Sequence, residues 1–161
     1  MNAQGTAKVT TKIVDPEIPR AGDRREVQVA VGVLIRPGQQ FLMTSRPEGK
    51  AYAGYWEFPG GKFEPNESLE QALRRELIEE LGIVVGTVWP WREEVVDYPH
   101  ALVRLHFCRV FDWQGALQMR ESQSHVWASL PVTIEPVLPG SWPVLEWLKA
   151  SPELLAHPTV D

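Results

Sequence analysis

The sequence predicts an α/β fold, a mixed β-sheet packed between helices. Three observations carry that expectation. Residues 26–36 alternate, with Val27, Val29, Val31, Val33 and Ile35 on one face. Residues 68–82 carry Leu69, Leu73, Leu77 and Leu81 at every fourth position. The element order is strands, helix, strands, helix. Alternation marks a strand and a four-residue apolar stripe marks a helix with one buried face. Layers of this kind bury their apolar faces against each other.

In chain order, residues 1–24 show no periodicity and contain Gly5, Pro16, Pro19 and Gly22. They read as a flexible N-terminal extension or a loose edge segment. In the strand over 26–36 the second face is Gln28, Ala30, Gly32 and Leu34, mostly small or apolar, which suits a central strand. The small pair Ala30 and Gly32 leaves room either for a ligand or for a close-packed helix. Arg36-Pro37-Gly38-Gln39 reads as a turn, and Phe41 to Ser45 returns as a second strand. A loop over 46–55 leads to a short strand at Trp56 to Phe58 and then to Pro59-Gly60-Gly61. Ser68 is placed to cap the helix, Gln71 completes a capping box and Gly82 ends it. Further strands are expected over 83–89, 102–111 and 125–128, with a short one possible at Glu93 to Val96. A second helix follows over 143–150, with Pro143 in its first turn. One domain spans 25–150, and 151–161 is expected to fray as a tail.

Composition narrows the function. The 161 residues suit one domain, and 43% hydrophobic content suffices for a core. A net charge of −5 gives no broad basic surface for nucleic-acid polymers or anionic membranes. The single cysteine, Cys108, rules out a disulfide framework and a cysteine-rich zinc site. No apolar run reaches membrane-span length and no signal-peptide pattern opens the chain, so a cytoplasmic protein is expected. His100 and His106 lie six apart without a third ligand. Gly61-Lys62 is followed by Phe63, not Ser or Thr, so no P-loop is present.

The helix nonetheless poses an electrostatic problem. Glu76 pairs with Glu79 at i, i+3 and with Glu80 at i, i+4, on the margin of the leucine stripe. Each like-charged pair costs an isolated helix about 0.2–0.5 kcal/mol, and partial burial adds to that. They also lie towards the helix C-terminus, where the dipole disfavours anions. Arg75 alone does not balance three acids. A solvated charged face is the commoner reading of such a run, and it suits Glu70 and Arg74. A divalent cation relieves Glu76, Glu79 and Glu80. Magnesium takes oxygen ligands and bridges carboxylates to phosphates.

From Gly61 the spacing is Gly, five residues, Glu67, seven residues, then Arg75-Glu76-Leu77-Ile78-Glu79-Glu80-Leu81-Gly82-Ile83. This resembles a complete Nudix box. Phe41 to Arg46, Trp56 to Lys62, Tyr98-Pro99, Glu121 to Gln123 and Trp127 extend the resemblance to the MutT branch, the 8-oxo-dGTP diphosphatases. It covers about residues 26–150. It implies a Nudix-type α/β/α sandwich around a mixed sheet. It also implies Mg²⁺- or Mn²⁺-dependent hydrolysis of a nucleoside triphosphate to monophosphate and pyrophosphate, a role in nucleotide-pool sanitation. By resemblance, the carbonyl of Gly61 and the carboxylates of Glu76, Glu79, Glu80 and Glu121 are metal ligands. Glu67 and Arg75 orient the catalytic carboxylates. Glu76 is the first choice as general base and Glu80 the second. Arg46, Phe58, Gly60, Lys62, Tyr98 and Ser141 fall at substrate-contacting positions, with Trp142 a further aromatic candidate. Where the branch reads its purine with an asparagine, this chain has Ser141, and where the branch has an arginine it has Ala101. An oxidised purine triphosphate is therefore the first substrate reading and CTP or dCTP the alternative. Other nucleoside-diphosphate-linked substrates, or a non-catalytic nucleotide-sensing module, complete the set. A monomer or homodimer is expected.

Overall fold

The computed structural model describes residues 9–20, 22 and 24–158. In chain order the strands are β1 (Thr11–Ile13), β2 (Val27–Arg36), β3 (Gln40–Ser45), β4 (Trp56–Glu57) and β5 (Gly60–Lys62). Helix α1 (Leu69–Leu81) follows, then β6 (Val84–Val85), β7 (Val88–Asp97), β8 (Leu102–Val110), β9 (Trp113–Gln114), β10 (His125–Ala128) and helix α2 (Trp142–Ala150). The main sheet runs β1-β7-β8-β2-β3-β10, with β4 on β3 and β5 on β2; β6 and β9 form a separate ribbon. It is mixed, since β2 pairs parallel with β8 while β7 pairs antiparallel with it.

The two faces of β2 decide the layering. Ala30 and Leu34 pack with Leu73, Leu77 and Leu81 of α1. A side chain at Gly32 would press on Leu73 and Leu77, so the small residues admit a helix rather than a ligand. Val31, Val33 and Ile35 on the other face pack with Val144 and Leu148 of α2. Leu73, Leu77 and Leu81 are fully buried, and each contributes about 1.5–3 kcal/mol by leaving water. This is the expected α/β/α sandwich. The helix signals also hold. Ser68 and Gln71 form the capping box, and Gly82 ends the helix in left-handed backbone with φ 70°.

Of the two readings of residues 1–24, a flexible extension or a loose edge segment, residues 9–20 take the second. Thr11–Ile13 adds an edge strand parallel to β7, and Val14 is buried; residues 1–8 lie outside the described residues. The expected strand over 83–89 is two pieces. Gly86 and Thr87 separate β6 from β7, which then runs unbroken to Asp97. A register shift between Pro90 and Arg92 absorbs the proline, which cannot donate to the ladder. The tail forms a short 3-10 turn over Pro152–Leu155, held because Leu155 enters the core and Arg109 donates to the Leu154 carbonyl at 2.9 Å.

Candidate active site

β2 shares one edge between two partners, β5 along Val29–Val31 and β3 along Ile35–Arg36. The sheet therefore forks beside β2. A cleft of about 570 Å³ opens there, a size suited to a nucleotide-scale ligand. Its floor follows from register. Val27, Val29 and Val31 lie opposite Val103, Leu105 and Phe107, and all six side chains line it.

Two glycines bring the acidic wall to this floor. A Cβ at Gly60 would lie 2.0 Å from the Ala30 carbonyl oxygen, and one at Gly61 would lie 2.2 Å from the Glu76 carboxylate. Only glycine permits both approaches. The Gly60 N–H donates to Glu80 Oε2 at 3.3 Å, tying β5 to α1.

Arg75 organises the acids from behind. Its Nε and Nη2 grip the Glu67 carboxylate at 2.6 and 2.9 Å, and Nη2 also donates to the Lys62 carbonyl at 2.8 Å. Its Nη1 reaches Glu76 Oε1 at 2.9 Å and Glu79 Oε2 at 3.2 Å. The Arg75 guanidinium holds the Glu67 carboxyl down at about 2. Glu67 and Arg75 do not line the cleft; they lock its loop to its helix. If the acids it holds serve as metal ligands in catalysis, Arg75→Gln is expected to lower kcat about 10- to 100-fold, the usual cost of losing a group that orients such ligands. Steady-state kinetics, with circular dichroism to verify the fold, checks this.

Glu121 is placed by the end of α1. The last turn of α1 contains no basic residue. Its free carbonyls are satisfied instead by the loop between β9 and β10. Gln118 N donates to Leu81 O at 2.9 Å, Arg120 N to Glu80 O at 3.1 Å and Arg120 Nη1 to Ile78 O at 3.0 Å. Gln123 accepts from the Glu121 N–H at 2.9 Å. Capping the helix thus delivers Glu121 to the cleft.

The clustered charge registers in the carboxyls. Burial pushes Glu80 up to about 8, with Glu57, Glu121 and Glu76 adding repulsion. Burial raises Glu76 as well; Arg75 opposes this, while Glu79 and Glu121 add to it. Among the described residues no three acidic, imidazole or thiol side chains converge on a single point. Arg75 draws Glu76 and Glu79 aside, and Lys50 Nζ stands 3.7 Å from Glu121. The donor set nevertheless fits a hard divalent cation. It consists of carboxylate and carbonyl oxygens around one cleft, and its negative charge is under-compensated.

The far end is aromatic. Phe58 and Tyr98 line it but are 3% and 5% exposed, so they shape the wall from within the core. The Tyr98 hydroxyl accepts from the Gly140 N–H at 3.1 Å, fixing the turn that presents buried Ser141 to the cleft. Trp142 is not part of the wall. It is 48% exposed and lies under Lys12, with the ammonium 4.6 Å from the ring centroid. Arg46 lines the cleft while its guanidinium bridges Ala51 O at 2.6 Å and Glu57 Oε1 at 3.1 Å. Gly60 and exposed Lys62 line it too.

Sequence reasoning assigned no role to Glu57, Lys50 or Tyr52, all of which line the cleft. Burial raises the Glu57 carboxyl against the pull of Arg46. A charged residue between Trp56 and Phe58 was the available signal for Glu57.

The sequence matches the family model described as the NUDIX domain over residues 26–148. It is 40% identical over 123 residues to the CTP pyrophosphohydrolase of Escherichia coli K12, covering 74% of this chain and 89% of that one. It is 38% identical over 105 residues to the 8-oxo-dGTP diphosphatase of Haemophilus influenzae, covering 65% and 77%. The solution structure of the E. coli ORF135 protein superposes with a TM-score of 0.68 at 37% identity, over 85% of this chain and 96% of that one.

Proposed function

This chain belongs to the NUDIX family, and from that premise we propose that it is a Mg²⁺-dependent nucleoside triphosphate pyrophosphohydrolase, yielding a nucleoside monophosphate and pyrophosphate. One observation carries the reading. A single cleft joins an acidic wall of Glu76, Glu79, Glu80 and Glu121 to an aromatic end at Tyr52, Phe58 and Tyr98. The acidic wall suits cation-bound phosphates and the aromatic end suits a base.

The Gly61 carbonyl, Glu79, Glu80 and Glu121 would hold the metal, with Glu76 at their margin. A bound divalent cation neutralises phosphate charge and lowers the pKa of water. The chain's own residues supply position and proton transfer. Glu76 is the general base. Arg75 occupies its Oε1, which leaves Oε2 to take the proton from the attacking water. Its carboxyl lies above the ordinary range because it is desolvated, which brings a base closer to working pH. Lys62 and Lys50 line the cleft as cations for the polyphosphate.

For the base, oxidised purine is the first reading, supported by the similarity to 8-oxo-dGTP diphosphatases. A pyrimidine is the second, and a specific observation favours it. Ser141 offers one hydroxyl where an amide would give a paired donor and acceptor, and the CTP pyrophosphohydrolase is similar over most of its length. Competition among 8-oxo-dGTP, dGTP, CTP and dCTP at low concentration tests both. On the first reading 8-oxo-dGTP outcompetes dGTP at least tenfold; on the second, CTP or dCTP leads. No pyrophosphate from any of the four would overturn the proposal.

A further inference from the structure

One side chain of the N-terminal segment hydrogen-bonds the side chain of a residue that lines the cleft. Tyr52 Oη donates to Asp15 Oδ2 at 2.8 Å. Both residues hold left-handed backbone, φ 49° at Asp15 and φ 60° at Tyr52. Asp tolerates that conformation, but a bulky tyrosine adopts it when its surroundings impose it, and such strain gathers at ligand clamps. The surroundings here are well defined. Val14 is buried against Val96, Tyr98 and Leu138, and its N–H donates to the Asp97 carbonyl at 2.9 Å. Arg20 folds back onto the carbonyls of Val14 and Asp15 at 2.6 and 3.2 Å and pairs with Asp97. Arg24 also pairs with Asp97. Asp15 therefore projects from an anchored bend.

Half-buried Tyr52 joins buried Tyr98 and exposed His100 in an aromatic group at the base end of the cleft. Its ring centroid lies 5.5 Å from that of Tyr98 and 6.0 Å from that of His100, and all three side chains line the cleft. Tyr98 is locked by Gly140. Tyr52 sits on the loop over 46–55, where Arg46 donates to the Ala51 carbonyl, and the Tyr55 N–H donates to the Tyr52 carbonyl at 3.1 Å while the Tyr55 ring packs edge-on against that of Tyr52. Asp15 thus restrains the Tyr52 hydroxyl from outside the loop, beside the ring contacts with Tyr98 and His100. Burial, aided by Asp15, pushes the Tyr52 phenol up to about 12, so it remains a neutral donor at working pH.

We propose that residues 11–20 are a positioning element for base binding, with Asp15 holding Tyr52 as a wall for the nucleobase. The inference rests on the nucleoside triphosphate reading of the cleft. Asp15 touches no reacting atom; it acts through Tyr52, so its loss falls on affinity rather than chemistry.

The test compares Asp15→Ala, Asp15→Asn, Tyr52→Phe and the double variant Asp15→Ala/Tyr52→Phe with the wild type. The readouts are KM and kcat for the best triphosphate, together with calorimetric binding of its nucleoside monophosphate. Asp15→Ala and Tyr52→Phe are each expected to raise KM and the monophosphate Kd about 3- to 10-fold, the worth of one hydrogen bond. kcat should change less than twofold. The double variant should be no worse than either single one. Asp15→Asn, which still offers a carbonyl acceptor, should stay near wild type. Wild-type turnover with KM unmoved in both single variants would overturn this inference alone. So would kcat falling in step with melting temperature, or Asp15→Asn behaving like Asp15→Ala. A wild type that neither hydrolyses a triphosphate nor binds a monophosphate would overturn the functional reading and this inference with it.

Discussion

Glu80→Gln is expected to abolish the metal response while making the metal-free protein more stable at pH 8. In the fold, burial and the neighbouring acids raise the Glu80 carboxyl to about 8 from an ordinary 4.5. The folded state therefore prefers the protonated acid. That preference stabilises fully below about pH 4.5 and is lost as pH rises to about 8. The shift corresponds to roughly 5 kcal/mol between the two limits. The apo wild type should accordingly melt at falling temperature across this window. At about 2–4 °C per kcal/mol for a domain of this size, the fall is easily measured. Mg²⁺ should restore the melting temperature at pH 8 by stabilising the ionised form. Glutamine keeps the shape and an acceptor for the Gly60 N–H but has no charge to desolvate. Its melting curve should be flatter with pH and indifferent to Mg²⁺. Thermal melts at pH 5, 6.5 and 8, with and without Mg²⁺, decide this. If Glu80→Gln melts lower than wild type at pH 8, Glu80 is an ordinary structural residue.

Glu76→Gln should behave differently. It removes the proposed base but leaves Glu79, Glu80, Glu121 and the Gly61 carbonyl. kcat is expected to drop about 10²- to 10⁴-fold, the range for losing a positioned general base. Stabilisation by Mg²⁺ should persist, because the remaining ligands are intact. Arg75 retains Glu67 and Glu79 as partners, so folding is not at issue. The contrast separates the two roles. Glu80→Gln loses metal linkage and activity together, whereas Glu76→Gln loses activity alone. If the two variants prove indistinguishable in metal titrations, the division of labour is wrong.

The parts of the site that were legible in the sequence are those written locally. The capping box of Ser68 and Gln71, the leucine stripe and the glycine stop fix α1 within one chain segment, and α1 carries three of the acids. Gly60 and Gly61 are legible as glycines, but the reason for each is a long-range contact, with Ala30 and with Glu76. What escaped depends on tertiary contact. β1 is three residues long and pairs in parallel with a strand more than eighty residues away, so no periodicity announces it. The charges that anchor it, Arg20 and Arg24 on Asp97, are ordinary surface residues until the chain folds. Glu57 gains its raised carboxyl from burial, with Glu121 adding repulsion, and neither is visible before the chain folds. Trp142 shows the converse: an aromatic at a suggestive position turns outward, and its indole N–H bonds the Val137 carbonyl at 3.0 Å.

On the proposed function, one acidic cleft splits a nucleoside triphosphate between its α- and β-phosphates with the help of a divalent cation. Phosphorus NMR of the products tests it most directly. With 8-oxo-dGTP or CTP and Mg²⁺, the spectrum should gain nucleoside monophosphate and pyrophosphate in equal amounts. With excess chelator it should not change. Nucleoside diphosphate with orthophosphate, or product formation undiminished by chelator, would contradict the account.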